Sequence, residues 1–276
     1  MKKNLRIIPK LDIKNYNLVK GVNLEGLRVL GDPKNFIKSY YEDGADEIIY
    51  HDVVASLYGR NQLSNLIERT AENIFLPLTV GGGIKTIEDI DIALKSGADR
   101  IFSNSAFIRN PNFIDEAVKY YGTSTILSSI EVIKKENEYY CQIDFGREET
   151  KVRFLDWIEE VQSRGVGEIM ITSINAEGRG KGFDLDLAKL LSKNIKIPYM
   201  VNGGFGELKH FDEVLNSCYP SGIALGSILH YRSKNFPTKG KDGNVNFLMQ
   251  QKNYIDFGNY SIRDIKNHLR NKANLR

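Results

Sequence analysis

Two glycine pairs, Gly82-Gly83 and Gly203-Gly204, stand about 120 residues apart in this 276-residue chain, each at the end of a short apolar run. A second polar step follows each pair, Asn104-Ser105 in one half and Gly226-Ser227 in the other. A strand that ends in Gly-Gly lets backbone amides approach a ligand with no Cβ in the way. A helix that starts at the second step aims its unpaired N–H groups at the same point. Gly82, Gly83, Asn104 and Ser105 therefore form one candidate phosphate site, and Gly203, Gly204, Gly226 and Ser227 a second. Tight strand-to-helix turns without a ligand would use the same residues. The duplication at one spacing favours two anion sites, suited to a long substrate with a phosphate at each end. Two acids, Asp12 and Glu131, lie at the ends of equivalent strands, and facing acids can divide general acid and general base work. A lone strand-end aspartate would as readily cap a helix or join an ion pair. Lys20, just beyond the first strand in "NLVKG", could neutralise a phosphate, order a loop or simply face solvent.

The elements that must position these groups are legible as alternation. Apolar runs ending at Asp12, at Asp52, at Gly81, at Asn104, at Glu131, at Ser173, at Asn202 and at Leu225 read as eight strands. Helix-period stretches lie between them, at 35–42, 87–95, 113–120, 154–164 and 211–216, several stopped by glycine as at Gly44, Gly97 and Gly165. Eight such strands fit either a doubly wound sheet or a closed barrel. The internal repeat decides: "GADEIIYHDV" matches "GVGEIMITSI", "LTVGGGIKTIED" matches "YMVNGGFGELKH", "FSNSAFI" matches "IALGSIL", and "KLDIK" matches "SIEVIK". A four-plus-four repeat closes into a single α/β (βα)8 TIM barrel, with half-repeats of about 5–122 and 123–230. An extension over 231–260 and a final helix over about 261–272 follow. Asp12 and Glu131 then face each other across the mouth.

Inward alternation from Asp12 places Lys10, Ile8 and Arg6 on the barrel interior. Arg6, Glu47, Arg100 and Glu168 stand at strand starts, where opposite charges must pair because unpaired ones would be too costly. They make either a plug or a gate. The formal charge of +3 is too small to argue for nucleic acid, and much of the excess sits in the tail at Lys266, Arg270, Lys272 and Arg276, as on a solvated helix end. Cys141 and Cys218 have neither metal-ligand nor redox spacing, the four histidines are scattered, and no metal site is expected. No secretory leader and no apolar run approaching a membrane span is visible, so a cytoplasmic protein is expected.

On "RIIPKLDIK…LVKGV", "GDP", "GADEIIYHDVVAS", "LPLTVGGGI", "GADRIFSNSAF", "DWIEEVQSRGVGEIMITSI" and "NGGFG", the chain resembles the cyclase subunit family of imidazole glycerol phosphate synthase over roughly residues 6–230. The resemblance implies a heterodimer with a glutaminase docked at the N-terminal face of the barrel. It implies that ammonia passes through the barrel and attacks a bis-phosphorylated ribulosyl-formimino aminoimidazole carboxamide ribotide, giving imidazole glycerol phosphate and aminoimidazole carboxamide ribotide. Asp12 takes the general acid/base role, and Glu131 falls where the family places a catalytic Asp. Arg6, Glu47, Arg100 and Glu168 fall on the gate ring, Asp99 on the glutaminase-facing rim, and Gly178 in the strand-six phosphate loop. No cofactor is implied.

Departures from the family pattern are specific. Glu131 replaces Asp; Glu177 and Arg179 flank Gly178 where Asp-Gly-Thr is usual; Phe145 and Lys151 replace small or polar residues; and Lys10 stands where Cys is common, pointing into the ammonia path. A buried lysine there must be partnered or shift towards neutral. These changes also fit a paralogue that delivers ammonia for amidination of a surface sugar with little cyclase activity of its own, and the same barrel could serve another phosphosugar isomerase.

Overall fold

The computed structural model describes residues 4–55, 64–72, 74–232 and 257–275. Eight parallel strands close on themselves: β1 (Asn4–Lys14), β4 (Ile48–Asp52), β5 (Leu78–Gly81), β6 (Arg100–Ser103), β7 (Ile126–Lys135), β10 (Glu168–Ser173), β11 (Tyr199–Asn202) and β12 (Gly222–Leu225). They pair in chain order, with β7 next to β10, and β6 pairs with β7 and β12 with β1 at the two junctions between the half-repeats. The chain is thus a (βα)8 barrel, as the internal repeat predicted. β1 and β7 are four strands apart in either direction, which sets Asp12 and Glu131 on opposite walls.

Helices cover the outside: α1 (Pro33–Glu42), α2 (Ser64–Ala71), α3 (Ile87–Lys95), α4 (Ser105–Arg109), α5 (Asn112–Tyr121), α6 (Phe154–Ser163), α7 (Leu185–Asn194), α8 (Leu208–Ser217), α9 (Ser227–His230) and α10 (Ile262–Leu269). Local chemistry starts and stops them. Asp32 caps α1 by accepting from Lys34 N at 3.1 Å, with Pro33 in the first turn. Thr86 and Asp89 form a reciprocal capping box on α3. α1 buries Phe36, Ile37 and Tyr40, one apolar stripe against the barrel wall. Of the expected extension over 231–260, residues 233–256 lie outside the described residues, as does Arg276.

Two features were not expected from the sequence. β1 and β7 each run past the barrel rim into antiparallel hairpins: β2 (Asn17–Val22) and β3 (Glu25–Gly31) over one half of the mouth, β8 (Glu138–Ile143) and β9 (Glu148–Arg153) over the other. Lys20, expected just beyond the first strand, is therefore on a second strand. The turn joining β1 to β2 holds Asn15 and Tyr16 at φ 48° and 65°, the left-handed pair a two-residue hairpin requires. A short strand, β13 (Asn274–Leu275), also pairs with the start of β1.

The barrel interior is layered. At the bottom, Arg6 Nη1 meets Glu47 Oε2 at 2.6 Å and Arg100 Nη1 meets Glu47 Oε1 at 3.5 Å, while Glu168 takes both arginines, one on each oxygen. Thr79 Oγ1 donates to Glu47 at 2.6 Å, and Ser221 Oγ donates to Glu168 at 2.5 Å. Above this ring lies an apolar layer of Ile8, Ile49, Phe102, Leu127, Met170, Met200 and Ala224. Polar residues fill the top. Period-two alternation produces all three layers from the same strands: Arg6, Ile8, Lys10 and Asp12 all point inward on β1.

Burial disfavours the Glu168 carboxylate, but Arg6 and Arg100 more than offset this and lower its pKa from 4.5. Glu168→Ala is expected to cost about 3 kcal/mol in chemical denaturation, because it leaves two guanidinium groups facing an apolar layer. The wild-type contribution is full above the ordinary glutamate value and is lost as pH falls through the lowered folded value. A destabilisation unchanged between neutral pH and pH 4 would contradict this account.

Candidate active site

Asp12 is 1% exposed, on the β1 wall of the mouth. Its Oδ1 is ion-paired with Lys10, two residues back on the same face of β1, and its Oδ2 accepts from Lys20 Nζ at 3.1 Å. The β1–β2 register, with Asp12 opposite Val19, is what brings Lys20 within reach. Lys20 also pairs with Glu177 in the loop after β10. Lys10 is partnered, as its burial demands, and its ammonium lies 5.9 Å from the centre of the Phe145 ring. Burial alone would raise the Asp12 pKa; Lys10 and Lys20 reverse this and hold the carboxyl well below the usual carboxylate range. Lys20 is raised in turn by Asp12 and Glu177 against the opposing effect of burial.

Glu131, on the far wall, has a different environment. Its Oε2 accepts from Asn104 Nδ2 at 3.1 Å and from Gly146 N at 2.9 Å. Burial pushes its carboxyl up to about 7, against the pull of Lys10 and the Gly146 amide. The two acids are thus separated in strength: one anionic throughout the physiological range, the other able to give or take a proton near neutrality.

The first glycine cradle opens on a cavity of about 230 Å³ lined by His51, Gly82, Gly83, Asn104, Ser105 and Glu131, with Lys85 and Arg109 at its edge. Gly82 is there for two reasons. Its φ of 96° is left-handed, and a Cβ would lie 2.1 Å from the Asp52 carbonyl oxygen. Asn104 Oδ1 is buried with no hydrogen-bond partner among the described residues. Ser105 Oγ accepts from Asp144 N at 2.9 Å. The second cradle, lined by Gly178, Gly203, Gly204, Gly226 and Ser227, is far tighter, with about 10 Å³ free. There the Glu177 carboxylate reaches to 3.1 Å from where a Gly203 Cβ would stand, and Lys20 Nζ to 3.1 Å from a Gly226 Cβ. Ser227 Oγ is buried and unpartnered among the described residues. Both cradles therefore hold polar atoms that packing leaves without a partner, at the same end of the barrel as the two acids.

A family model described as histidine biosynthesis protein matches residues 6–235. The chain is 46% identical over 210 residues to the imidazole glycerol phosphate synthase subunit HisF of Legionella pneumophila, covering 76% of this chain and 99% of that protein. It is 42% identical to HisF of Campylobacter concisus, covering 82% and 89%. It is 36% identical over 260 residues to HisF of Clostridium botulinum, covering 94% and 98%. The chain belongs to the HisF family.

Within that family frame, the structure brings together Asp12, Lys20, Glu131, Gly82, Gly83, Asn104, Ser105, Gly178, Gly203, Gly204, Gly226 and Ser227 at one mouth, and Arg6, Glu47, Arg100 and Glu168 at the other end of the strands. Asp99 is exposed at that lower end, where its Oδ2 accepts from Leu78 N at 2.8 Å. One mouth residue and one mouth pairing are not legible in the sequence. His51 lies between Asp12 and the first cradle, and only the inward phase of β4, shared with Glu47 and Ile49, could have flagged it. The Lys20–Glu177 pair joins residues 157 apart and has no local signal.

Lys10→Met removes one of the two cations that hold Asp12 ionised. Carbon-13 carboxyl titrations of the variant are expected to show Asp12, and Glu131 with it, titrating at higher pH than in the parent. An unmoved Asp12 would mean that Lys20 suffices.

Proposed function

We propose that this chain is the cyclase subunit of imidazole glycerol phosphate synthase. In this reading it converts a ribulosyl-formimino aminoimidazole carboxamide ribotide, with ammonia from a partner glutaminase, to imidazole glycerol phosphate and aminoimidazole carboxamide ribotide. The observation that carries it is the pair of opposed acids of unequal strength, Asp12 and Glu131, between two glycine cradles at one rim. The cradles take the terminal phosphates of the ligand. Asp12, kept anionic, accepts a proton from the attacking nitrogen, and Glu131 exchanges a proton with the oxygen that departs. Lys20 neutralises the phosphate of the second cradle once Glu177 gives way.

The layered interior supports a path for ammonia along the axis. Neutral ammonia crosses an apolar layer such as that of Ile8, Phe102 and Met200 without the desolvation cost that stops ammonium. The Arg6–Glu47–Arg100–Glu168 ring at the entrance would have to part for it. The partner glutaminase docks at this lower face, which offers Asp99 and, beside it, Phe75 at 84% exposure. A large apolar side chain so exposed is the kind of anchor interfaces use. Phe75→Asp is expected to weaken glutaminase binding at least tenfold by calorimetry and to leave turnover with added ammonium unchanged.

Purified chain with the ribotide and ammonium at alkaline pH is expected to form imidazole glycerol phosphate. Asp12→Asn should lower that turnover by about a hundredfold or more while ribotide affinity stays within about threefold. An active Asp12→Asn variant would refute the mechanism. A second reading draws on the Lys10–Asp12 ion pair at the axis and on the Glu177-filled second cradle: a barrel that conducts ammonia to a sugar-amidating partner. Ribotide binding without turnover in the same assay would favour it.

A further inference from the structure

His51 ends the inward row of β4, opposite Asp12 in the β1–β4 register. It lines the cavity of the first cradle yet is only 8% exposed. Its ring is fixed edge-on against two aromatic neighbours, Phe102 at 5.2 Å and 72° and Phe145 at 5.3 Å and 67°. Nδ1 is buried and has no hydrogen-bond partner among the described residues; Asp12 Oδ1 faces it at 3.6 Å, just beyond bonding reach. Asp52, the adjacent acid, accepts from Val54 N and Ala55 N, each at 3.0 Å. Packing alone does not call for an imidazole here. An apolar side chain would fill the space between two phenyl rings without stranding a polar atom.

The charges around the ring decide its state. Lys10 and Asp12 face it from β1, Lys20 from β2 and Glu131 from β7, with Lys85 and Arg109 across the cavity. Burial and Lys10 push His51 down to about 4, against the pull of Asp12, so the ring is neutral at physiological pH. A neutral imidazole carries one N–H and one lone pair. A carboxylate facing Nδ1 favours the proton there, which leaves the Nε2 lone pair for the cavity. A phosphate dianion in the cradle counters the two lysines and makes that lone pair more basic.

We propose that His51 is a further catalytic residue of this site: oriented by Asp12 through Nδ1–H, its Nε2 takes a proton from a hydroxyl or amine of the phosphate-bearing ligand held by Gly82, Gly83 and Asn104. The electron pair of the broken O–H or N–H bond stays on the ligand atom. The imidazolium so formed is balanced by the Asp12 carboxylate, and its proton passes to solvent at the mouth when product leaves. Asp12 then has two tasks, proton acceptor and orienter of a second acceptor. The assignment rests on the reading of this mouth as the site of ribotide turnover, and the test separates the two.

The test compares the full chain with His51→Gln and His51→Leu. Kinetics with ribotide and ammonium are taken across pH, and nitrogen-15 imidazole spectra are recorded with ribose 5-phosphate as probe. Both variants are expected to lose more than tenfold in kcat with KM within threefold, and to lose one limb of the kcat–pH profile. Their thermal midpoints should stay within a few degrees of the parent. A His51 Nε2 resonance that shifts saturably with ribose 5-phosphate is expected in the parent. Variants with kcat within twofold of the parent, or losses that only track the folded fraction, would overturn the proposal. If the parent itself does not turn over the ribotide, the functional reading fails and the spectra decide this one: a shifting Nε2 signal upholds contact between His51 and the ligand, an unmoved one ends it.

Discussion

Asp12 has almost no access to water, and a carboxylate in that position keeps its charge only if cations stand against it. Two do: Lys10 from its own strand and Lys20 from the hairpin that folds back over the mouth. The rest of the site follows from this cluster. Lys10 lowers the basicity of His51 and tempers the rise in Glu131. Lys20, shared with Glu177, links the β1–β2 hairpin to the loop after β10 and so closes the second cradle. The excess cation on one wall is what lets two carboxylates of the same mouth differ in strength.

The same alternation that delivers Asp12 to the mouth builds the axis beneath it. Inward positions are charged at the bottom, apolar in the middle and polar at the top, so a neutral solute and an ion meet different barriers along one line. The four charges of the lower ring are cross-bonded by both arginines to both glutamates. The ring therefore closes as a unit, and opening it anywhere exposes a buried charge.

The half-barrels have diverged where it matters for a ligand. Among the described residues, equivalent elements border an open cavity on one side and a nearly filled one on the other. Glu177 reaches into the second cradle, while in the first Asn104 Oδ1 is without a partner among the described residues. The glycines are alike in both halves because backbone geometry demands them whether or not a ligand is bound.

Periodicity, glycine punctuation and an internal repeat determined the barrel, the placement of Asp12 opposite Glu131 and the inward row Arg6, Ile8, Lys10, Asp12, because these depend on spacing along single strands. The mouth hairpins were not legible: their strands are short, and the left-handed turn at Asn15-Tyr16 lacks the glycine that marks such turns. His51 gave no motif because a lone histidine has meaning only beside Asp12 and the two phenyl rings. The Lys20–Glu177 pair and the unequal cradles were decided by tertiary structure alone. Electrostatic state depends on burial and on charges distant in sequence, and neither exists until the strands have closed.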